Sequence, residues 1–383
     1  MNLKLVLWGG IGVLLLAVAV FATWVFSLPP ARAAAAQPPI SAEEAVATLS
    51  ALRPPRRERP LIAVIGINDA TETTDYLMPY GILRRADVAD VVMLATGPGP
   101  VKLFPALTVE PDATVAEFEA RHPEGADYVI VPAMSRDDDP TALNWLKSQA
   151  AKGAVVIGVC YGARVVGAAG LLDGKRATTH WYFLKKLRND NPTMQYVADR
   201  RLVVDRGVAT TTGITASIPM MLTLIEAIAG RDKAETVARD LGLNEWDARH
   251  DSGAFKLTRP FALTVMGNIL AFWNREQLGI ELTPGMDEVS LALVADAWSR
   301  TYLSRAVAFA GSADTVETRN GISIIPDQVA TDWPAEELVP AFADRKPGEA
   351  LDQALLAIGA RYGDRTADVV ATQLEYPGRQ TGR

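Results

Sequence analysis

Cysteine and histidine are scarce in this chain. Of its 383 residues, one is a cysteine, Cys160, and three are histidines, His122, His180 and His250. A single cysteine excludes an intramolecular disulfide and a thiolate-rich metal centre, and three histidines argue against a histidine-rich one. We therefore expect no metal site, and no motif in the chain points to a cofactor.

Positive charge is also sparse. The chain has 38 Lys+Arg against 45 Asp+Glu, a net charge of −7. Proteins that wrap nucleic acid carry an excess of basic residues that neutralise phosphates, so we expect no nucleic-acid partner. Hydrophobic residues make up 49% of the chain, which is a globular composition. The length predicts a core domain with a second substantial part beside it.

Charge is absent altogether from Leu5 to Leu28, a run of 24 residues with Trp8 and Trp24 near its ends. About 20 apolar residues suffice to cross a bilayer as a helix, and tryptophans favour its interfaces. This pattern predicts a single-pass transmembrane anchor. The alternative is a signal peptide cleaved near Ala31-Arg-Ala33, although signal h-regions span only about 7–15 residues. One more basic group precedes the run than closely follows it, which favours an extracytoplasmic body.

Apolar runs that alternate with helical patterns begin at residue 61, after a stretch rich in proline, alanine and arginine. In that stretch, Ser41-Ala-Glu-Glu44 resembles a capping box and predicts a short helix. Strands are predicted at 61–67, 91–95, 128–131, 154–159 and 208–212, and helices at 73–86, 141–152, 163–169 and 215–229. The alternation predicts a mainly parallel sheet with helices on both faces, whose ligands bind at the carboxyl ends of the strands.

The last part of the chain, residues 243–383, has a different pattern. We predict a helix at 261–278, strands at 289–295 and 321–325, and closing helices at 348–360 and 366–374. This mixture indicates an α+β extension. It holds 13 Lys+Arg against 20 Asp+Glu, so it lacks the basic surface with which a DNA-binding unit contacts phosphates.

The sequence Gly158-Val-Cys-Tyr-Gly162 has the form of a nucleophile elbow, in which glycines leave room for a sharp turn between a strand and a helix. A cysteine at a helix N-terminus lies near the positive end of the helix dipole, so we expect Cys160 to have a low pKa and to be reactive. The backbone N–H groups of Tyr161 and Gly162 are the candidates for stabilising negative charge there. The alternative is a buried cysteine that serves only as a small hydrophobic residue.

Five motifs together resemble the ThiJ/PfpI family of the class I glutamine amidotransferase-like superfamily. They are Asp75-x-x-x-Pro79, Gly158-Val-Cys-Tyr-Gly-Ala163, Ala168-Ala-Gly-Leu-Leu-Asp-Gly174, Ala177-Thr-Thr-His-Trp181 and Thr211-Thr-Gly213. The pattern is most similar to the ligand-binding half of AraC-type regulators and to isonitrile hydratases, and it covers about residues 61–255. The resemblance implies a flavodoxin-like sandwich, often a homodimer, with a cysteine nucleophile.

The resemblance also implies roles for individual residues. Cys160 matches the nucleophile, Asp75 the acidic residue that faces it, and His180 a histidine often found near the thiol. Glu72 is the alternative acid, one turn earlier. Without a catalytic role, Asp75 would only stabilise the start of its helix, and His180 would be a buried, hydrogen-bonded histidine.

The chain departs from the family pattern at two places. Pro132-Ala-Met134 stands where paired glycines commonly expose backbone N–H groups to the site. Tyr161 follows the cysteine where protease-like members have a histidine. Because the Cys–His pair of those members is missing, we do not expect peptidase activity.

The sequence therefore predicts a membrane-anchored protein with cysteine-dependent hydrolase, hydratase or lyase activity on a small molecule. The alternatives are a thiol-based sensor or ligand-binding module without turnover and, with less support, a transcriptional regulator. The predicted parts are a transmembrane anchor at 1–28, a tether at 29–60, a ThiJ/PfpI-like domain at 61–255 and an extension of unknown role at 256–383.

Overall fold

The structure is a computed structural model, and it describes residues 3–31 and 35–377. Residues 32 and 33, part of the alternative cleavage motif, lie outside the described residues. The helices are α1 (Leu3–Ser27), α2 (Ala42–Ala51), α3 (Thr73–Ala86), α4 (Val115–Arg121), α5 (Pro140–Ala151), α6 (Gly162–Ala168), α7 (Leu184–Asp190), α8 (Ser217–Ala229), α9 (Arg231–Asp240), α10 (Arg259–Leu270), α11 (Glu288–Ser299), α12 (Pro347–Tyr362) and α13 (Asp364–Leu374).

The strands form one large sheet and three smaller ones. They are β1 (Leu61–Gly66), β2 (Asp69–Glu72), β3 (Asp90–Ala95), β4 (Val101–Phe104), β5 (Thr108–Glu110), β6 (Ala113–Thr114), β7 (Tyr128–Val131), β8 (Val155–Gly158), β9 (Arg176–Ala177), β10 (Gln195–Tyr196), β11 (Leu202–Asp205), β12 (Val208–Thr211), β13 (Glu276–Glu281), β14 (Ser304–Ala310), β15 (Val316–Glu317), β16 (Ser323–Ile325) and β17 (Gln328–Val329).

The large sheet has the order β11-β12-β8-β7-β1-β3-β6, and its neighbouring strands are parallel except for the β11–β12 pair. Numbered along the chain, the parallel strands β1, β3, β7, β8 and β12 lie in the flavodoxin-like order 2-1-3-4-5. The expected flavodoxin-like fold is confirmed. The carboxyl ends of β1, β7 and β8 therefore meet at one edge, next to the point where the strand order reverses.

Both faces of this sheet are buried. Ile62 and Val64 of β1 face the cluster built with α3, α8 and α11, whereas Ala63 and Ile65 face the cluster built with α4, α5 and α6. Side chains alternate along a strand, so a strand covered on both faces is apolar throughout. This explains the continuous apolar runs that predicted the strands.

Residues of the C-terminal part complete the core. Helix α11 packs on α3, and strands β15 and β16 extend the sheet β5-β4-β2. The Glu288 side chain lies against Gly81, where an added Cβ would come within 2.5 Å of the Glu288 carboxylate. The absence of a side chain at Gly81 thus permits α11 to pack closely on the family-like part of the chain.

Two predictions in the C-terminal part were wrong. The predicted helix at 261–278 ends at Leu270, and the chain continues through a 3-10 turn into β13. The predicted strand at 289–295 belongs to helix α11, which Asp287 caps by accepting the Ser290 N–H at 2.9 Å. Because α11 is buried on almost every side, its apolar run could not be distinguished from a buried strand by periodicity.

The prediction of a transmembrane anchor is also wrong. Among residues 3–31 and 35–377, no helix combines the length and the apolarity needed to cross a membrane. The end of α1 packs on α10 instead: Val25 is buried, and the Arg259 backbone N–H donates to the Pro29 carbonyl at 2.9 Å. The predicted membrane partner, single-pass location and extracytoplasmic body depended on that anchor and are withdrawn with it.

The segment between α1 and β1 lies against the domain. Helix α2 follows Ser41, whose hydroxyl accepts the Glu44 N–H at 3.1 Å, as the capping pattern predicted. Arg57 Nη1 lies 2.7 Å from the buried Asp127 carboxylate, which also accepts the Leu61 N–H at 2.9 Å. The arginine-rich stretch thus holds the start of β1 in place.

Candidate active site

The elbow motif forms the predicted turn between β8 and α6. Cys160 has φ = 55°, in the left-handed region that side chains rarely adopt. A Cβ at Gly162 would overlap the Val131 carbonyl, and one at Gly158 would lie 2.9 Å from the Ala163 backbone. Both glycines are therefore required where the helix approaches the sheet closely, and together they hold the cysteine in a strained conformation.

Both backbone polar groups of Cys160 are hydrogen-bonded. Its N–H donates to Thr211 Oγ1 at 3.0 Å, and its carbonyl accepts from Thr179 Oγ1 at 2.9 Å. The side chain is almost fully buried. The Tyr161 N–H lowers the pKa of the thiol, whereas the Gly162 N–H donates to the Val159 carbonyl at 2.7 Å. Of the two backbone donors named from the sequence, Tyr161 is the one that acts on the thiol.

Two carboxyl groups from the start of α3 lie beside the thiol. Glu72 caps the helix, since its Oε2 accepts from the Asp75 N–H at 2.6 Å and from Thr74 Oγ1 at 2.8 Å. Asp75 is completely buried; its Oδ2 accepts the Ala133 N–H at 3.1 Å, and its Oδ1 has no hydrogen-bond partner. An unpaired buried carboxylate oxygen is costly unless it carries a proton or meets a ligand.

The surroundings shift all three pKa values upward. Burial, followed by the charge of Glu72, raises the pKa of Asp75 well above its usual range. Burial, followed by the charge of Asp296, raises the pKa of Glu72 to about 7. Burial, followed by the charges of Asp75 and Glu72, raises the pKa of the Cys160 thiol, which the Tyr161 N–H only partly offsets. The prediction of a low pKa for Cys160 is therefore not supported, since its surroundings raise that pKa.

Arg300, which the sequence did not single out, reaches the site from the end of α11. Its Nη2 donates to Glu72 Oε1 at 2.7 Å, and its Nε lies 2.8 Å from both oxygens of Asp296. The charge of Arg300 lowers the pKa of Glu72 and of Asp75, against the larger effect of burial. No local motif marks this arginine.

His180 borders the same cavity as Cys160, but both of its ring nitrogens are hydrogen-bonded to backbone groups. Nε2 lies 2.9 Å from the Gln373 carbonyl, and Nδ1 accepts the Tyr182 N–H at 3.2 Å. These partners assign a neutral ring protonated at Nε2. Burial lowers the pKa of His180, which also favours the neutral form.

Glu375, at the end of α13, joins two site loops and was also missed from the sequence. Its carboxylate accepts the Trp181 N–H at 2.7 Å and the Gly213 N–H at 2.9 Å, and it lies 3.3 Å from His250 Nε2. Burial opposes ionisation, but His250, His180 and the Trp181 N–H lower the pKa of Glu375 to about 2. A Cβ at Gly213 would lie 2.5 Å from the Glu375 side chain, so this glycine makes room for the carboxylate.

Cys160 opens into a cavity of about 750 Å³, within the range of small-molecule sites. Its polar lining includes Cys160, Glu72, His180 and Arg300. The aromatic lining residues are Trp24, Phe104, Tyr161, Trp181, Tyr182, Phe183, Phe261 and Tyr302. Asp75 does not line the cavity itself; Ala133, to which it is hydrogen-bonded, does. Within the described ranges, no group of three or more Cys, His, Asp or Glu side chains is arranged to hold a metal ion.

Known proteins are similar to parts of this chain. An isonitrile hydratase of Pseudomonas putida is 35% identical over 172 residues, 44% of this chain and 72% of that protein. The HTH-type transcriptional regulator CdhR of Pseudomonas aeruginosa is 28% identical over 196 residues, 50% of this chain and 55% of the regulator. A THiJ/PfpI family protein from Pseudomonas syringae superposes with a TM-score of 0.46 at 22% identity, covering 56% of this chain and 86% of that one. Residues 62–227 match the DJ-1/PfpI family, and the chain belongs to that family.

Proposed function

We propose that the protein is a cysteine-dependent enzyme that adds water to a small, largely apolar molecule with an electrophilic carbon. The observation that carries this proposal is the position of Cys160, which a strained elbow holds at a cavity beside buried carboxyl groups. An elbow of this kind presents a nucleophile to a bound molecule without requiring the backbone to move. Buried acids close to a nucleophile suit proton transfer during addition reactions.

The cavity supports a substrate with an aromatic or aliphatic body and a compact reactive end. Aromatic rings form much of its wall, and the polar groups gather where Cys160 lies. Aromatic walls favour apolar ligands, while a few polar groups orient them. Since the relative that is 35% identical is named an isonitrile hydratase, isonitriles are the first substrates to test.

The reaction can be balanced with the groups that the site contains. The sulfur bonds to the terminal carbon of the isonitrile, and the same carbon gains the proton of the thiol by way of a carboxyl group. Water then adds across the resulting C=N bond: its oxygen bonds to the carbon, and one proton goes to the nitrogen. When the C–S bond breaks, the hydroxyl proton returns to the sulfur, and a formamide leaves.

Asp75 is the proposed acceptor of the Cys160 thiol proton, and Glu72 is the carboxyl group that lines the cavity. Asp75 Oδ1 has no hydrogen-bond partner, and the charge of Asp75 raises the pKa of Cys160, so these two groups compete for a proton. His180 has a positioning role in this proposal, because both of its ring nitrogens are hydrogen-bonded to the backbone. Through Tyr182 it orders part of the aromatic wall. A homodimer remains a prediction from the family resemblance.

The test is a turnover assay with an alkyl and an aryl isonitrile, in which formamide is measured. We expect turnover by the wild type and by the control Asp138→Asn, an exposed carboxylate. We expect at least a hundredfold loss in Cys160→Ser and in Asp75→Asn. Turnover that persists in Cys160→Ser would refute the proposal.

A second candidate, ligand binding without turnover, is favoured by the raised pKa of the Cys160 thiol. A protonated thiol is a poor nucleophile but an ordinary lining group for a binding cavity. In that case an apolar ligand would bind equally to the wild type and to Cys160→Ser, and neither would release formamide. The isonitrile assay combined with calorimetric binding separates the two candidates.

A further inference from the structure

Arg300 lies outside residues 62–227, which match the family, yet it borders the same cavity as Cys160. Three contacts fix its position at the end of α11. Gln373 Nε2 of α13 donates to its backbone carbonyl at 3.0 Å, Asp296 accepts its Nε, and Glu72 accepts its Nη2. The C-terminal part of the chain therefore both carries and orients this guanidinium.

The charges around Arg300 are unbalanced. Glu72, Asp75 and Asp296 are buried carboxyl groups, and Arg300 is the only lysine or arginine among the described residues that line the cavity. Full ionisation would leave two uncompensated negative charges in a region of low dielectric constant, before any thiolate forms. Buried like charges of this kind suppress further ionisation, so each positive charge at this site has a large effect.

We propose that Arg300 is a positioning residue which the C-terminal part of the chain supplies to the active site. Its guanidinium holds the Glu72 carboxyl group at the cavity wall, and its charge favours the thiolate of Cys160. The inference rests on the proposed function, since it requires Cys160 to be the reacting group. It adds that residues outside the family match affect the ionisation of the Cys160 thiol.

The groups that face Cys160 come from several elements. Glu72 and Asp75 at the start of α3 and Glu375 at the end of α13 oppose the thiolate, while Arg300 favours it. His180 also borders the cavity and carries no charge in the hydrogen-bonded form described above. Removal of the guanidinium leaves the three opposing carboxyl groups in place, so the thiolate should form only at higher pH.

The test is the pH dependence of Cys160 alkylation by iodoacetamide in the full-length chain. Because the chain has a single cysteine, the reaction reports on Cys160 alone, and it needs no substrate. For Arg300→Gln we expect the pH of half-maximal alkylation rate to rise by about one unit. Below that pH, the variant should react about tenfold more slowly than the wild type. Arg300→Lys should lie between Arg300→Gln and the wild type. The control Arg305→Gln, at an exposed position in β14, should match the wild type.

Asp296→Asn keeps the inference testable if Arg300→Gln disturbs folding. This variant removes a negative charge and leaves the guanidinium in place, so the half-maximal rate should move to lower pH. If both Arg300→Gln and Asp296→Asn moved the half-maximal rate in the same direction, the cause would be general loosening of the site, and the inference would be overturned. Equal profiles for Asp296→Asn, Arg300→Lys and the wild type would overturn the inference while leaving the proposed function intact. Absence of alkylation in the wild type at every pH would overturn both.

Discussion

Glu72 Oε1 and Arg300 Nη2 lie 2.7 Å apart, although 228 residues separate them in the chain. Glu72 caps α3 in the family-like part, and Arg300 follows α11 in the C-terminal part. This ion pair lies at the wall of the cavity that contains Cys160. The two parts of the chain thus meet at the site itself as well as through a shared hydrophobic core.

The elbow glycine should be indispensable for stability. A Cβ at Gly162 would overlap the Val131 carbonyl, so Gly162→Ala should lower the free energy of unfolding by about 3 kcal/mol or more. The matched control is Gly267→Ala in α10, where an added Cβ meets nothing within 4 Å and should stabilise the helix by about 0.5–1 kcal/mol. Urea unfolding measures both. A stable Gly162→Ala variant would contradict the close approach of α6 to β7.

Glu72 should make stability fall as the pH rises. Its pKa is raised from 4.5 to about 7 in the folded protein, so the folded state binds the proton more tightly than the unfolded chain. The corresponding stability, up to about 3 kcal/mol, is present below pH 4.5 and is lost as the pH rises through 7. The stability difference between Glu72→Gln and the wild type should therefore change across this window. The exposed control Glu337→Gln should change the free energy of unfolding by less than about 0.5 kcal/mol.

Glu375 should have the opposite dependence. Its pKa is lowered to about 2, so its contribution is present above about pH 4.5 and is lost as the pH falls towards 2. Glu375→Gln should cost about 1.5–3 kcal/mol at pH 7, since the carboxylate accepts charge-assisted hydrogen bonds. The cost should be smaller at pH 3. Chemical unfolding at the two pH values measures it, and an equal cost at both would count against an ionised Glu375.

The aromatic wall should determine affinity for apolar ligands. Phe261 meets Trp181 edge to face at 5.8 Å between ring centroids, and both line the cavity. Phe261→Ala should weaken binding of an aryl ligand about tenfold through lost ring contact, whereas Leu263→Ala on the exposed side of α10 should not. Isothermal calorimetry makes the comparison. Equal affinities would mean that ligands bind elsewhere.

The sequence predicted the elements that local patterns determine. Continuous apolar runs predicted β1 and β8 because both faces of the sheet are covered. Glycines at 158 and 162 predicted the elbow because backbone clashes exclude larger residues there. Cys160 was named from the elbow motif and Asp75 from the family resemblance; in the structure the charge of Asp75 raises the pKa of Cys160, and their catalytic roles remain proposals.

The sequence could not predict what depends on contacts between distant residues. Arg300 and Glu375 lie in no motif and acquire their importance from partners far away in the chain. The pKa of Cys160 was expected to fall because of its local backbone, and the Tyr161 N–H does lower it. Burial and the surrounding carboxyl groups dominate, however, and these come from α3 and α13.

The positions of Arg300 and Glu375 in the chain have a consequence for folding during synthesis on the ribosome. Every strand of the large sheet precedes residue 212, so the sheet and the elbow can form while the rest is still being translated. Arg300, which balances charge at the site, follows about 90 residues later. Glu375, which holds two loops of the site, follows about 160 residues later. At about 5–20 residues per second, the nascent domain carries its cysteine for roughly 8–30 s without Glu375. A newly made chain should therefore form its large sheet and its elbow before the candidate site is complete.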